Sequence, residues 1–234
     1  MTKKRFATMA TCIALVGAVA VGGTLALLTA PSNAVTNTFA VGEGYPDPGP
    51  DERVLTLDEN IPTQDAAGNY VSGTSRTESG FEYADLVDDT TLAKDPTFHL
   101  MAGSPKSWIV AEIGTVDGAF DGSMFTKNDW YKVTGEGTEL SPYKATAVTA
   151  ETPITEGLYI YGKTINGGVN TSALFETLKY DEQTTSSDGS ETVRRPVDLV
   201  IKGCAVQAVG ADQSVGAVVD TVVKAAVDAM KAAE

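Results

Sequence analysis

Ser107-Trp108-Ile109-Val110-Ala111-Glu112-Ile113-Gly114 constrains the fold of this chain more than any other stretch. Ile109, Ala111 and Ile113 fall on one face of an extended segment. Trp108 and Val110 occupy the other, until Glu112 marks solvent. The pattern predicts a central β-strand. Trp130-Tyr131-Lys132-Val133-Thr134 and Leu158-Tyr159-Ile160-Tyr161-Gly162 repeat the aromatic alternation of half-buried strands. Val54-Leu55-Thr56-Leu57 is a further candidate, and Asp65 to Tyr70 supplies a turn after it. Ser72 to Gly80 is polar and reads as loop. Lys94 to Met101 enters a strand after Pro96, which suits an edge or a strand start. Asp117 to Gly122 and Ser186 to Ser190 are turns, and Val197 to Ala208 is a long strand with Val197, Leu199 and Ile201 toward the core.

Two segments carry a helical period instead. Asn170 to Leu178 has a polar cap and then Leu174, Phe175 and Leu178 at helical spacing, which predicts one short internal helix. Gln213 to Glu234 places Val215, Val219, Val222 and Ala226 on a stripe widened by Val218, Val223, Val227 and Met230, with Lys224, Asp228 and Lys231 outside it. An amphipathic helix is expected, packed on the domain or on a neighbour. Many short strands and few helices make the fold class mainly β, a β-sandwich of which a jelly roll is one form.

The N-terminus has a different character. Lys3, Lys4 and Arg5 form a basic start, and Phe6 to Gly42 carries no charge. Small residues close the apolar run, as an export signal requires. Two cuts compete: after Thr24-Leu25-Ala26, releasing Leu27, and after Ser32-Asn33-Ala34, releasing Val35. An uncleaved anchor is the alternative, since the run is long enough for a span of roughly 20 residues, but Gly and Ala dilute it and Pro31 closes it. The expected division is a signal over 1–26, an extended segment over 27–42, a Pro/Gly-rich linker over 43–52, a sandwich over 53–210 and a helix over 211–234. Localisation outside the cell follows from the signal. Cys12 would leave with it, so the exported chain keeps Cys204 alone and cannot form an internal disulfide. The net charge of −14 repels nucleic acid and anionic membranes. No nucleic-acid partner is expected, and membrane contact only through the signal before cleavage.

Several stretches resemble one family. Gly22-Gly23-Thr24-Leu25-Ala26-Leu27-Leu28-Thr29 and Asn37-Thr38-Phe39-Ala40-Val41-Gly42 look like the opening of the TasA/camelysin family of secreted biofilm-matrix proteins. Lys94-Asp95-Pro96-Thr97, then Gly157 to Gly162 with Thr171-Ser172-Ala173-Leu174-Phe175, and finally Ala205-Val206-Gln207-Ala208 are similar to that family's later segments, in the same order. The resemblance favours the cut between Ala26 and Leu27. It implies a jelly-roll-like subunit, to which the periodicity above adds the short internal helix and the C-terminal helix. It also implies polymerisation by donor-strand exchange, in which the N-terminal segment of one copy fills a gap in the next. Val35, Phe39 and Val41 share one face of that segment and are the expected donor side chains. The partners so implied are further copies of this chain and other matrix proteins, in a Gram-positive-type envelope. The chain departs from the family pattern at Pro46 to Pro50 and in its added C-terminal helix. Self-pairing of Val35 to Val41 within its own domain is the competing reading.

Catalytic chemistry finds no support in the residues. Camelysin has been classed as a metalloprotease, but such sites hold zinc through paired histidines, and this chain has only His99. Cys204 sits among apolar residues, where a thiol is a small hydrophobe. No Gly-x-Ser-x-Gly elbow and no phosphate loop occurs. No catalytic residue, metal ligand or cofactor is expected. A camelysin-like secreted peptidase and a monomeric, membrane-anchored adhesin or binding module are the alternatives to a structural subunit.

Overall fold

The computed structural model describes residues 29–31, 45–46, 49, 52–84, 86–114, 120, 122–181, 184–187, 191–194, 198–209 and 213–233. Its strands are β1 (Thr29–Pro31), β2 (Leu55–Asn60), β3 (Thr63–Gln64), β4 (Tyr70–Val71), β5 (Arg76–Thr77), β6 (Thr91–Ala93), β7 (Thr97–Leu100) and β8 (Ser107–Ile113). They continue with β9 (Trp130–Thr134), β10 (Lys144–Ala147), β11 (Gly157–Tyr161), β12 (Thr177–Lys179), β13 (Thr184–Ser187), β14 (Glu191–Arg194) and β15 (Ile201–Gln207), followed by helix α1 (Val215–Ala232).

Six strands form the main sheet, in the order β1-β15-β8-β11-β9-β10. Every pairing in it is antiparallel. A three-stranded sheet, β5-β2-β7, and a four-stranded sheet, β12-β6-β4-β3, supply the residues that face it. β13 and β14 pair only with each other. The chain is mainly β, a sandwich with a single C-terminal helix among the described residues.

Alternation along the central strands builds the layers. Ile109, Ala111 and Ile113 of β8 join Trp130, Tyr159, Tyr161, Ile201 and Ala205 against Leu55, Phe98, Leu92 and Leu178. The opposite faces of the same strands present Trp108, Val110, Val133, Ile160, Cys204 and Val206 to α1. The helix answers with Val215, Val219, Val222, Val223, Ala226 and Met230, all buried. Each valine so buried contributes about 1.5–3 kcal/mol, and without that contact an 18-residue helix would be marginal in water. The Trp108 and Val110 face predicted for the central strand and the predicted stripe of the tail are therefore the two sides of one interface, and the helix packs on its own domain.

Several expectations are corrected. Ser72 to Gly80, expected as loop, contains β5, which pairs with β2, and Ser186 and Ser187, expected in a turn, end β13. The internal helix predicted over 170–178 does not form. Asn170 bridges His99, the Thr171 amide donates to the Phe98 carbonyl at 2.9 Å, and the Leu174 amide donates to the Pro96 carbonyl at 2.8 Å. The backbone groups a helix would pair internally are spent on the edge of β7, and Leu174 and Phe175 are both buried although they are neighbours; tertiary pairing overrides a period carried by only three residues. The long strand expected from Val197 begins at Ile201. Finally, the expected linker is anchored: Tyr45 is buried in the aromatic core and shares a 3.0 Å hydrogen bond with Ser107 Oγ.

Candidate functional site

The residue series expected to act in assembly is Ala26 and Leu27 at the cut and Val35, Phe39 and Val41 as donor side chains. All five lie outside the described residues. Thr29–Pro31 lies between the cut and those donor positions, and its backbone is placed. It pairs antiparallel with β15 in the register Thr29↔Val206, Ala30↔Ala205 and Pro31↔Cys204. It also lies beside α1. Pro31 lacks an N–H, which an outermost strand tolerates.

The strand it covers has the composition of an interior strand. Cys204 and Ala205 are fully buried and Val206 nearly so. On its other side β15 pairs with β8 over its whole length, Ile201↔Ile113 to Gln207↔Ser107. Gly203 is required there, because a Cβ would lie 2.2 Å from the Phe98 ring. The close approach draws the two layers together under β15. Among the described residues the sheet thus ends, beyond β15, in a three-residue strand from the N-terminal segment.

The Lys-Asp-Pro-Thr segment proves to be a structural corner. Lys94 Nζ donates to Glu59 Oε2 at 2.5 Å, with both side chains buried, and Lys94 Nζ also lies 5.8 Å from the centre of the Tyr83 ring. Asp95 accepts from the Asn60 amide at 2.6 Å, from Asn60 Nδ2 at 2.9 Å and from Arg76. Pro96 holds Leu174 through its carbonyl. Four consecutive residues therefore tie β2, β5, β7 and the 170–176 segment together. Burial, and then the Glu59 charge, push the Tyr83 phenol well above its ordinary range.

His99 lies on β7 with its Nε2 2.7 Å from Asp58 Oδ1, and Arg76 Nε donates to the same oxygen at 2.7 Å. Burial alone would raise the Asp58 carboxyl; the hydrogen bonds from Arg76 and His99 outweigh it and hold the group below its ordinary value. This arrangement latches β2, β5 and β7 together. Cys204 lies in the other core, beneath α1. Among the described residues no three His, Cys, Asp or Glu side chains gather where they could hold a metal ion. None of the described helices is long and apolar enough to cross a membrane.

Among the described residues, cavities of ligand size include two near the elements above. One, of about 500 Å³, lies between α1 and the ends of β8 and β15, with Trp108, Val206, Val218 and Val222 in its walls and Lys106, Asp220, Lys224 and Asp228 around it. The other, of about 560 Å³, opens between β2 and residues 199–201, over Glu59 and Lys94. In the first, the Lys224 ammonium is bound to Asp220 Oδ2 at 2.7 Å, and Asp220 Oδ1 accepts from the Tyr143 amide at 2.8 Å, so those groups secure the helix.

Sequence reasoning missed Tyr45, and it placed Thr29–Pro31 in an extended segment without marking it as the part that pairs. An aromatic inside a Pro/Gly-rich stretch was the available signal for the first. For the second there was none, since Thr-Ala-Pro has no strand pattern of its own. Comparison with protein-family models, with curated proteins and with solved structures finds no match to this chain.

Proposed function

We propose that this protein is a secreted structural subunit of extracellular fibres, a biofilm-matrix or cell-surface component of jelly-roll-like architecture that assembles by exchanging its N-terminal strand between copies. The observation that supports the reading best is the edge of the six-stranded sheet: buried, interior-type residues on β15, closed by a strand from the very segment that the expected cut would leave at the N-terminus. Main-chain pairing of this kind carries little sequence information, so the same seat accepts the same strand from a neighbour. Head-to-tail contacts that do not close give filaments. The family resemblance of the sequence points the same way, and the acidic surface suits a protein that stays soluble outside the cell until it assembles.

Electron microscopy of the purified chain beginning at Leu27, beside one lacking residues 27–41, tests the proposal. Filaments are expected from the first and not the second. A chain beginning at Leu27 that stays monomeric at high concentration sinks the reading.

One observation favours a second reading. Within a single chain β1 already sits on its own β15, as a monomeric surface module would have it. Retention of residues 1–26 in the exported form, read by mass spectrometry, would support that module and its anchoring.

A further inference from the structure

The two small-residue sites in the N-terminal segment stand on opposite sides of β1. Cutting after Ala26 leaves Thr29–Pro31 in the exported chain, whereas cutting after Ala34 removes the whole strand. We propose that the position of the cut decides whether this chain closes its own sheet or offers β15 as an open edge to a second copy. The inference rests on the export and strand-exchange reading above, and it names the acceptor and what leaves it empty.

The physical argument lies in what β1 covers. Cys204 and Ala205 are fully buried and Val206 nearly so, and all three are the register partners of β1. One flank of their backbone is used by β8, where Cys204 stands opposite Val110, Ala205 opposite Ile109 and Val206 opposite Trp108. The other flank faces β1. Taking β1 away leaves main-chain donors and acceptors beside apolar side chains with nothing to pair with, and buried polar groups do not stay unpaired. α1 also loses a neighbour, since it lies against β1 as well as β15. The occupant that fits is Thr29–Pro31 of a copy cut after Ala26, because the seat has the register and length of that strand. A copy cut after Ala34 accepts this strand but has no Thr29–Pro31 to give to the same seat on the next copy, so on this pairing it ends a row of subunits. The ratio of the two cuts would then set filament length.

Cys204 reports on the edge directly. Either cut removes Cys12, leaving one thiol that is buried opposite Pro31. Reaction of that thiol with a chromogenic disulfide reagent is measured on dilute monomer for chains beginning at Leu27 and at Val35. The chain beginning at Val35 is expected to react at least about tenfold faster, because α1, which covers the thiol and lies against β1, loses that support and opens more readily. A synthetic peptide of residues 27–34 in large excess is expected to slow it again. Should the shorter chain fold poorly, the chain beginning at Leu27 with Thr29→Pro and Ala30→Pro, in which no residue of the strand can donate an amide to β15, is expected to show the same acceleration. Equal rates in all three chains, or no effect of the peptide, overturn the proposal. Since these rates are read on monomer, absence of filaments from the longer chain would count against the fibre reading alone.

Discussion

The six-stranded sheet has two outer ends, and they are built differently. At one end β10, Lys144–Ala147, pairs with β9 alone and exposes Lys144, Thr146 and Ala147 to solvent. It is short and begins on a charge, as protected edges do. At the other end β15 runs seven residues, most of them buried, and carries β1 beyond it. A natural edge strand can stand next to water because its side chains already do. β15 cannot, because its residues fill two cores at once: Ala205 and Ile201 the aromatic one, Cys204 and Val206 the one beneath α1. The contrast teaches that the end carrying β1 requires a partner strand, whatever chain supplies it, and that the β10 end does not.

Placing the same charge at each end should give the largest difference. Ala205→Lys puts an ammonium into the aromatic core and is expected to cost more than about 4 kcal/mol, whereas Thr146→Lys should stay within about 0.5 kcal/mol. Urea denaturation of both variants measures this, and similar losses would erase the distinction between the two ends. Gly203→Ala comes next. Its Cβ must displace the Phe98 ring, at an expected cost of about 1–3 kcal/mol. A neutral result in the same denaturation series would mean that β15 is free to move away from the facing sheet, as an ordinary edge could.

The smallest effect is expected far from both ends. Asp58 is held below its ordinary value by Arg76 and His99 against the opposing effect of burial. A carboxyl whose folded pKa is depressed contributes stability that is fully present above its unfolded value, about 4, and is lost as pH falls through the lower folded value. Thermal unfolding followed downward from about pH 5 should show a decline that is shallower in Asp58→Asn. Because Asp58 latches β2 to β5 and β7, the reactivity of Cys204 should not change until the whole domain melts. Early exposure of the thiol would show that the two sheets are coupled through Phe98 and Gly203.

Much of the sandwich was legible because period 2 is a local property. Trp108 to Ile113, Trp130 to Val133 and Leu158 to Tyr161 each declared their two faces, and the structure sends those faces to two different cores. The valine stripe of α1 was equally plain. The 170–178 segment was misread for the converse reason. Three apolar residues at helical spacing say nothing about where the backbone hydrogen bonds go, and Phe98 and Pro96 took them. The Lys94 to Thr97 segment was visible as a motif, but its use as a corner depends on contacts with Glu59, Asn60 and Arg76 that span 19 to 35 residues of sequence.

Residue order by itself settled the central strands, the amphipathic tail and the acidic charge, since each depends on neighbours in sequence or on simple composition. Only the folded chain decided which strands lie side by side, that Tyr45 enters the core, and that Thr-Ala-Pro becomes the last strand of a sheet. Pairing between distant segments is fixed by the fit of whole layers, such as the Phe98 ring against Gly203, and no single segment carries that information.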